Sequence, residues 1–146
     1  MRKADLLDEL RAEIGVVSDK VDRQVHTLYR FVIQTLHSRV PGYRYAGIYL
    51  TAPGMFRCFC RAGSSTLSPV VRFGQGLFSL AAARGGVVRE QVGGRTEVYV
   101  PFYRSHHLIG ELVIIGDSTD SIDDEDIALF CELASLFESK VEECNS

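Results

Sequence analysis

The sequence has no apolar run long enough to cross a membrane, and it has only four cysteines among its 146 residues. A transmembrane helix needs about 18 or more consecutive apolar residues, so we expect no membrane association. The N-terminal stretch MRKADLLDELRAEIG alternates charges with leucines and lacks the apolar core of a signal peptide. We therefore expect a cytoplasmic protein whose cysteines stay reduced; they are Cys58, Cys60, Cys131 and Cys144.

Basic residues are almost absent from the C-terminal end of the chain. Residues 117–146 hold ten of the nineteen acids and a single base, Lys140. The preceding residues carry nine acids and fifteen bases, most of them isolated arginines. This positive balance is compatible with an anionic ligand, but nucleic acid binding typically needs clustered bases interleaved with aromatic side chains. We therefore expect no nucleic acid partner.

Nucleotide-binding motifs are also missing, although residues 73–86, FGQGLFSLAAARGG, contain two closely spaced glycines. A dinucleotide-binding loop has a third glycine where this chain has Ser79, and a P-loop ends in Gly-Lys-Ser/Thr. The stretch instead predicts a bend at Gly74 and Gly76 that begins a short helix over 76–84. The free N–H groups at the start of that helix are an alternative site for an anion.

The cysteines and histidines show no metal-site spacing. Cys58 and Cys60 are expected on one side of a strand together with Phe56, as small core residues, because alternate residues of a strand share a face. His106 and His107 fall in a predicted hairpin turn, where they are expected to be solvated. We therefore expect no metal and no cofactor.

Hydrophobic periodicity predicts one α+β domain over residues 1–146. Apolar residues recur at helical spacing over 19–38 and predict a long helix there, preceded by a separate helical arm over 1–18. Over 43–116 the chain has short runs with a period of two, separated by glycine and proline, which predict a mainly antiparallel sheet. We expect residues 19–146 to form the core.

A last helix is predicted to begin after Asp123, its N-cap, and to have two apolar faces. One face is expected to pack on the sheet. The second face needs either the N-terminal arm or the arm of a second subunit. We therefore expect a homodimer formed through the terminal helices.

Glu97 is the candidate acid of a binding site. In the stretch TEVYVP it shares a strand face with Tyr99, opposite Val98 and Val100. An acid on a face that is otherwise covered needs a ligand or an arginine to satisfy it. The alternatives are a structural ion pair and an exposed face.

The order of these elements resembles a GAF domain over nearly the whole chain. More narrowly, PGYRYAGIYL, VRFGQGLFSLAAARGG, TEVYVPFYRSHHLIGELVII and DDEDIALF are similar to the single-domain GAF proteins that reduce free methionine-(R)-sulfoxide. The resemblance implies a mainly antiparallel central sheet with the terminal helices on one face. It implies a small helix and loops over a ligand pocket on the other face.

The residues that match the family's site argue against reductase activity. The pocket aromatics match Tyr45 and Tyr49, and the pocket glutamate matches Glu97. Two aspartates of the family fall on Val113 and Ile115, and the loop that carries family cysteines has shrunk to REQVGGR. No cysteine occurs between residues 61 and 130, so we expect no catalytic residue and no thiol at the pocket.

The resemblance therefore implies a small, aromatic pocket for an unidentified molecule. Its expected lining is Tyr45, Tyr49, Arg72, Phe78, Glu97, Tyr99, Val113 and Ile115. Arg72, Arg89 or Arg95 would neutralise Glu97 or hold an anion.

The function that we expect is non-catalytic sensing, in which the terminal helices report a bound small molecule to a signalling partner. One alternative is a degenerate enzyme retained as a protein-interaction scaffold. Two others are a methionine sulfoxide reductase-like enzyme and an enzyme that uses Glu97 as a general base.

Overall fold

Six strands and four helices follow one another along the chain in the computed structural model, which describes residues 2–21 and 24–144. The helices are α1 (Lys3–Lys20), α2 (Val25–Arg39), α3 (Gly76–Arg84) and α4 (Asp124–Cys144). The strands are β1 (Tyr43–Ala52), β2 (Met55–Gly63), β3 (Val70–Arg72), β4 (Val88–Val92), β5 (Arg95–Arg104) and β6 (His107–Gly116).

The strands form one six-stranded sheet in the order β3-β2-β1-β6-β5-β4. Every neighbouring pair is antiparallel. The hairpin between β5 and β6 turns at Ser105 and His106, as predicted, and Ser105 has a φ of 55° in that turn. The α+β architecture with a mainly antiparallel sheet is therefore confirmed.

Helices α1, α2 and α4 cover one face of the sheet. Their buried apolar side chains join those of the strands in one large core, which includes Leu10, Tyr29, Ile48, Ile114 and Phe137. The second apolar face of α4 packs against α1 of the same chain, and Arg11 of α1 donates a hydrogen bond to Glu132 of α4. The N-terminal helix of the same chain, one of the two expected partners, therefore contacts the second face of α4.

The boundary between the first two helices differs from the prediction. The sequence predicted a helical arm over 1–18 and a second helix over 19–38, but α1 continues through Gly15 to Lys20 and α2 begins only at Val25. A glycine inside a helix costs about 1 kcal/mol relative to alanine, which does not break it. Because Leu10 and Ile14 of α1 are fully buried, packing on the core compensates for the glycine.

The segment REQVGGR is a hairpin, whereas the sequence predicted a shortened loop. Strand β4 runs antiparallel to β5, and the turn between them contains Gly93 and Gly94 at φ angles of 55° and 83°. Two glycines with positive φ are typical of the tight turns that match the twist of a hairpin. Strand β4 was missed because only Val88 of its five residues is buried, so its hydrophobic alternation is weak.

None of the described helices combines the length and the apolar composition that crossing a membrane requires.

Candidate functional site

The face of the sheet opposite the terminal helices carries a second, smaller group of buried side chains under α3. We call it the pocket-face cluster. Its members are Tyr45, Tyr49, Phe56, Phe78, Ala81, Val88, Tyr99, Val113 and Ile115. The sequence-based lining is largely brought together here, because six of its eight residues belong to this cluster.

Phe78 of α3 fills the centre of the pocket-face cluster. Its ring stacks on Phe56 at 5.3 Å between centroids and contacts Tyr49 at 4.6 Å and Tyr99 at 4.8 Å. Such aromatic pairs contribute about 0.5–1.5 kcal/mol each beyond the area that they bury. Phe78 therefore packs directly on Tyr49 and Tyr99, two of the residues that the resemblance assigns to the pocket lining.

Two tyrosines from β1 form a buried hydroxyl pair beneath this helix. The hydroxyl oxygens of Tyr45 and Tyr49 are 2.9 Å apart and share a hydrogen bond. Burial raises the pKa of both hydroxyls, so neither ionises near neutral pH. The pair satisfies its own polar atoms and is a neutral part of the core.

A cleft of about 430 Å³ opens at the edge of the cluster, and we call it the Glu97 cleft. It is lined by Leu67, Val71, Gly76, Leu77, Phe78, Glu90, Gln91, Val92, Glu97 and Tyr99. The hydroxyl of Tyr99 donates a hydrogen bond of 2.7 Å to Oε1 of Glu97, which is only 8% exposed. Glu90 lies directly across from Glu97 on β4.

None of the three arginines proposed to neutralise Glu97 does so among the described residues. Arg89 binds on the other side of its strand, where it donates hydrogen bonds to Asp124 and to the carbonyl oxygen of Ile122. Arg72 is exposed on β3, outside the lining of the Glu97 cleft. Arg95 is half-buried and forms no ion pair with Glu97. The cleft therefore has two carboxylates and no basic lining residue.

Cys58 and Cys60 do not share a face, contrary to the sequence-based expectation. Strand β2 has a β-bulge against β1, where Ile48 pairs with Cys60 and Tyr49 pairs with Cys58, so Phe59 is an extra residue. Cys58 consequently packs against the pocket-face cluster, and Cys60 packs against the helix-side core. A thiol therefore lies beside the pocket-face cluster, although Cys58 does not belong to the lining of the Glu97 cleft.

The environment of Cys58 does not activate it. Burial raises the pKa of the Cys58 thiol, although Arg61 and the hydroxyls of Tyr45 and Tyr49 favour the thiolate. Burial also raises the pKa of Cys60 to about 12. Because the thiolate is the reactive form of cysteine, both residues are weak nucleophiles at neutral pH.

Glu111 is a buried acid that sequence reasoning missed. It lies on β6 between Tyr49 of β1 and Pro101 of β5, on the same face as Val113. It is 0% exposed, and neither carboxyl oxygen has a hydrogen-bond partner among the described residues. Burial raises its pKa to about 9. The signal in the sequence was an acid within the apolar stretch LIGELVII.

A second cleft, of about 590 Å³, opens on the other side of α3, and we call it the Leu108 cleft. It is lined by Thr51, Ala52, Pro53, Gly54, Phe56, Phe73, Gly74, Ser79, Ala82 and Leu108. Its two hydroxyl groups are already engaged, since Thr51 donates to backbone carbonyls and Ser79 accepts from the amide of Gly74. The remaining lining is apolar.

Within residues 2–21 and 24–144, no three histidine, cysteine or acidic side chains lie close enough together to hold a metal ion.

Solved structures with similar backbones include free methionine-R-sulfoxide reductases and GAF domains, although neither a protein-family model nor a curated protein matches the sequence. A free methionine-R-sulfoxide reductase from Neisseria meningitidis is 21% identical in sequence and superposes with a TM-score of 0.87. The alignment covers 99% of this chain and 93% of the reductase chain. A type II free methionine-R-sulfoxide reductase from Thermoplasma acidophilum is 24% identical and superposes with a TM-score of 0.73. The alignment covers 85% of this chain and 96% of that reductase chain. The GAF domain of a phosphoenolpyruvate-protein phosphotransferase from Coxiella burnetii is 14% identical and superposes with a TM-score of 0.81. The alignment covers 99% of this chain and 97% of that domain. These likenesses, together with the sheet order and the position of the helices, show that the chain has the GAF fold.

Proposed function

We propose that this protein is a non-catalytic small-molecule-binding module whose ligand occupies the Glu97 cleft and carries a positively charged group. The observation that supports this proposal is the pair formed by Glu97 and Glu90, which face each other across β4 and β5 with no basic residue in the lining. Like charges directly opposite one another in a sheet are destabilising. A bound cation removes that cost.

The remainder of the Glu97 cleft favours a ligand with an apolar part. Phe78, Leu77 and Val71 provide most of its apolar wall, and Tyr99 fixes one oxygen of Glu97. The second oxygen of that carboxylate remains available to accept a hydrogen bond from the ligand. A small organic ammonium compound has the required combination of charge and apolar surface.

A ligand in this cleft is adjacent to an element that also contacts the terminal helices. Strand β5 carries Glu97 and Tyr99 on its pocket face, and α4 packs against the opposite face of the same strand. The backbone amide of Tyr103 in β5 donates a hydrogen bond to Glu138 of α4. We propose that ligand binding changes the packing of α4, and that a homodimer or a signalling protein detects that change through the terminal helices.

The test is a thermal-shift screen of small molecules grouped by net charge, performed on the wild type and on Glu97→Gln. Small ammonium compounds are expected to raise Tm in the wild type, since a ligand that binds only the native state must stabilise it. Glu97→Gln is expected to abolish that shift. Native mass spectrometry of the same samples reports the number of subunits.

Two controls make this screen decisive. The first control is Arg89→Gln. Arg89 is next to Glu90 on β4, but its side chain donates hydrogen bonds to Asp124 and to the carbonyl of Ile122, away from the cleft. The ligand-induced rise in the Tm of this variant is therefore expected to match that of the wild type. Stabilisation by anions alone, or an unchanged shift in Glu97→Gln, contradicts the proposal.

A scaffold that binds no small molecule is a second candidate, and the position of Phe78 favours it. This ring occupies the centre of the pocket-face cluster and leaves Tyr45 and Tyr49 fully covered. In that case the helices alone contact a partner. The two candidates are separated by the same screen, because a scaffold shows no ligand-dependent shift in Tm while it still forms its protein complex.

A further inference from the structure

We propose that the Leu108 cleft is a second ligand site, which takes an aliphatic amine whose ammonium group pairs with Glu111 behind the cleft. This site lies on the opposite side of α3 from the Glu97 cleft, and the proposal does not rest on the function proposed for that cleft. It is carried by the two unpartnered carboxyl oxygens of Glu111 and by the position of Leu108 beside them.

Among the residues that the structure describes, neither carboxyl oxygen of Glu111 has a hydrogen-bond partner. Its cross-strand neighbours on the same face are Tyr49 and Pro101, and α3 covers the cluster with apolar residues such as Ala81. The hydroxyl of Tyr49 is engaged with Tyr45, and that of Tyr103 donates to the carbonyl of Ala82. A buried polar group without a partner destabilises the fold, more so when it is charged, so a ligand that supplies a donor recovers this free energy.

Strand β6 connects the Leu108 cleft to Glu111, because Leu108 of the cleft lining and Glu111 both lie on β6. The two residues between Leu108 and Glu111 face the other side, since Ile109 packs on the helix-side core and a Cβ on Gly110 would meet Leu50 and Phe102 of that core. Leu108 is therefore the next pocket-face residue after Glu111. It is half-buried, and rotation of its side chain would join the cleft to the acid.

The composition of the cleft selects the ligand class. Its walls are apolar and its hydroxyl groups are engaged, so it suits an aliphatic chain. An ammonium group at the end of that chain has three donors for the two orphaned oxygens of Glu111. Near neutral pH the acid is protonated before binding, because burial raises its pKa to about 9. The ammonium ion therefore displaces the carboxyl proton, which leaves to the solvent, and the charges balance.

The experiment compares the binding of n-hexylammonium and 1-hexanol to the wild type, Glu111→Gln and Glu97→Gln by titration calorimetry. The glutamine side chain has the shape and neutrality of the protonated acid, so the variant is expected to fold. Hexylammonium is expected to bind Glu111→Gln at least about tenfold more weakly than the wild type at the site that releases a proton, whereas Glu97→Gln is expected to keep that proton-releasing site and to lose the ammonium site in the Glu97 cleft. Hexanol is expected to bind all three proteins with similar, weaker affinity.

Proton release distinguishes pairing with Glu111 from binding through apolar contacts alone, because apolar contacts release no proton. In the wild type, repeating the titration in buffers with different heats of ionisation is expected to show about one proton released per hexylammonium bound near pH 7. In Glu111→Gln no proton is expected. The tyrosines around the acid do not contribute, because burial raises the pKa values of Tyr49, Tyr99 and Tyr103 above their usual value.

The proposal is overturned by any of three results. They are equal binding of hexylammonium and hexanol to the wild type, undiminished hexylammonium binding by Glu111→Gln, and no hexylammonium binding to the wild type at millimolar concentration. Loss of hexylammonium binding in Glu97→Gln alone would place the amine in the other cleft. That result would support the proposed function and contradict this second site.

Discussion

Cys58 and Cys60 are two residues apart on β2 but lie on opposite faces of the sheet, because the bulge at Phe59 inserts one extra residue between them. A bulge shifts every side chain on one side of it relative to the regular alternation. It leaves Cys58 on the pocket face beside Tyr45 and Tyr49 and turns Cys60 to the helix-side core.

We expect Cys58 to be unreactive and the protein to show no turnover of free methionine-R-sulfoxide with a thiol reductant. Because burial raises the pKa of the Cys58 thiol, little thiolate exists at neutral pH. Alkylation by iodoacetamide, followed by peptide mass spectrometry, is expected to be slower at Cys58 than for glutathione at pH 7. It should accelerate as the pH rises through the alkaline range. Turnover that disappears in Cys58→Ser would contradict this expectation and establish a reductase.

The buried acid Glu111 is expected to make the protein less stable as the pH rises. Its pKa is raised to about 9 by burial, whereas in the unfolded chain it is close to 4.5. Between these values the folded state holds a proton that the unfolded state has released. The free energy of unfolding therefore falls with increasing pH, by up to about 1.4 kcal/mol per pH unit from this group alone.

Urea denaturation of the wild type and Glu111→Gln from pH 5 to 9 measures this effect. The difference in stability in favour of the variant is expected to grow with pH, because glutamine does not ionise. Glu90→Gln is the matched control, since Glu90 is exposed and its variant should follow the wild-type pH dependence closely. Parallel pH profiles for the wild type and Glu111→Gln would show that the acid is not buried in a neutral form.

The sequence predicted the architecture well because its strongest signals are local. The hairpin around Ser105, the short helix over 76–84 and the N-cap at Asp123 each depend on neighbouring residues, and Asp123 does accept hydrogen bonds from the amides of Glu125 and Asp126. The sequence also predicted that Glu97 and Tyr99 share a strand face, because alternate residues of a strand point to the same side. In the structure the two side chains form a hydrogen bond.

The features that were missed depend on pairing between distant segments. The bulge at Phe59 exists only against β1, and β4 exists only because β5 provides its hydrogen-bonding partner. The isolation of Glu111 depends on the simultaneous packing of β1, β5 and α3, which no local pattern reveals. Whether a pocket is open or filled by Phe78 is likewise a property of the assembled core.

Phe78→Ala is expected to cost about 3–5 kcal/mol in the free energy of unfolding and to enlarge the Glu97 cleft. The substitution removes a buried ring that contacts Phe56, Tyr49 and Tyr99, and the surrounding core relaxes only partly. Urea denaturation with circular dichroism detection measures the loss. Phe73→Ala is the control, because Phe73 contacts Phe56 but is 48% exposed, and its truncation should cost much less. Similar losses for the two variants would mean that Phe78 does not anchor α3.

Asp126 is expected to be the most sensitive polar residue of the helix-side core. Its buried carboxylate accepts hydrogen bonds from the Tyr43 hydroxyl, from Nζ of Lys3 at 2.8 Å and from the backbone amide of Asp123 at 2.8 Å. It therefore joins α1, β1 and the start of α4. Asp126→Ala is expected to cost about 3–5 kcal/mol, because it leaves the buried Tyr43 hydroxyl without its acceptor and removes one partner of the Lys3 ammonium group, which then keeps only the carbonyl of Ser121 and Asp123.

The matched control for Asp126 is Asp124→Ala, two residues earlier on α4. Asp124 is fully exposed, and among the described residues its ion pair is with Arg89 at 3.3 Å, so its removal is expected to cost much less than that of Asp126. A double-mutant cycle of Asp126→Ala with Tyr43→Phe isolates the hydroxyl–carboxylate bond, because the two losses should not add when the residues interact directly. Strict additivity of Asp126→Ala and Tyr43→Phe would show that α1 and α4 hold Asp126 in place without the tyrosine.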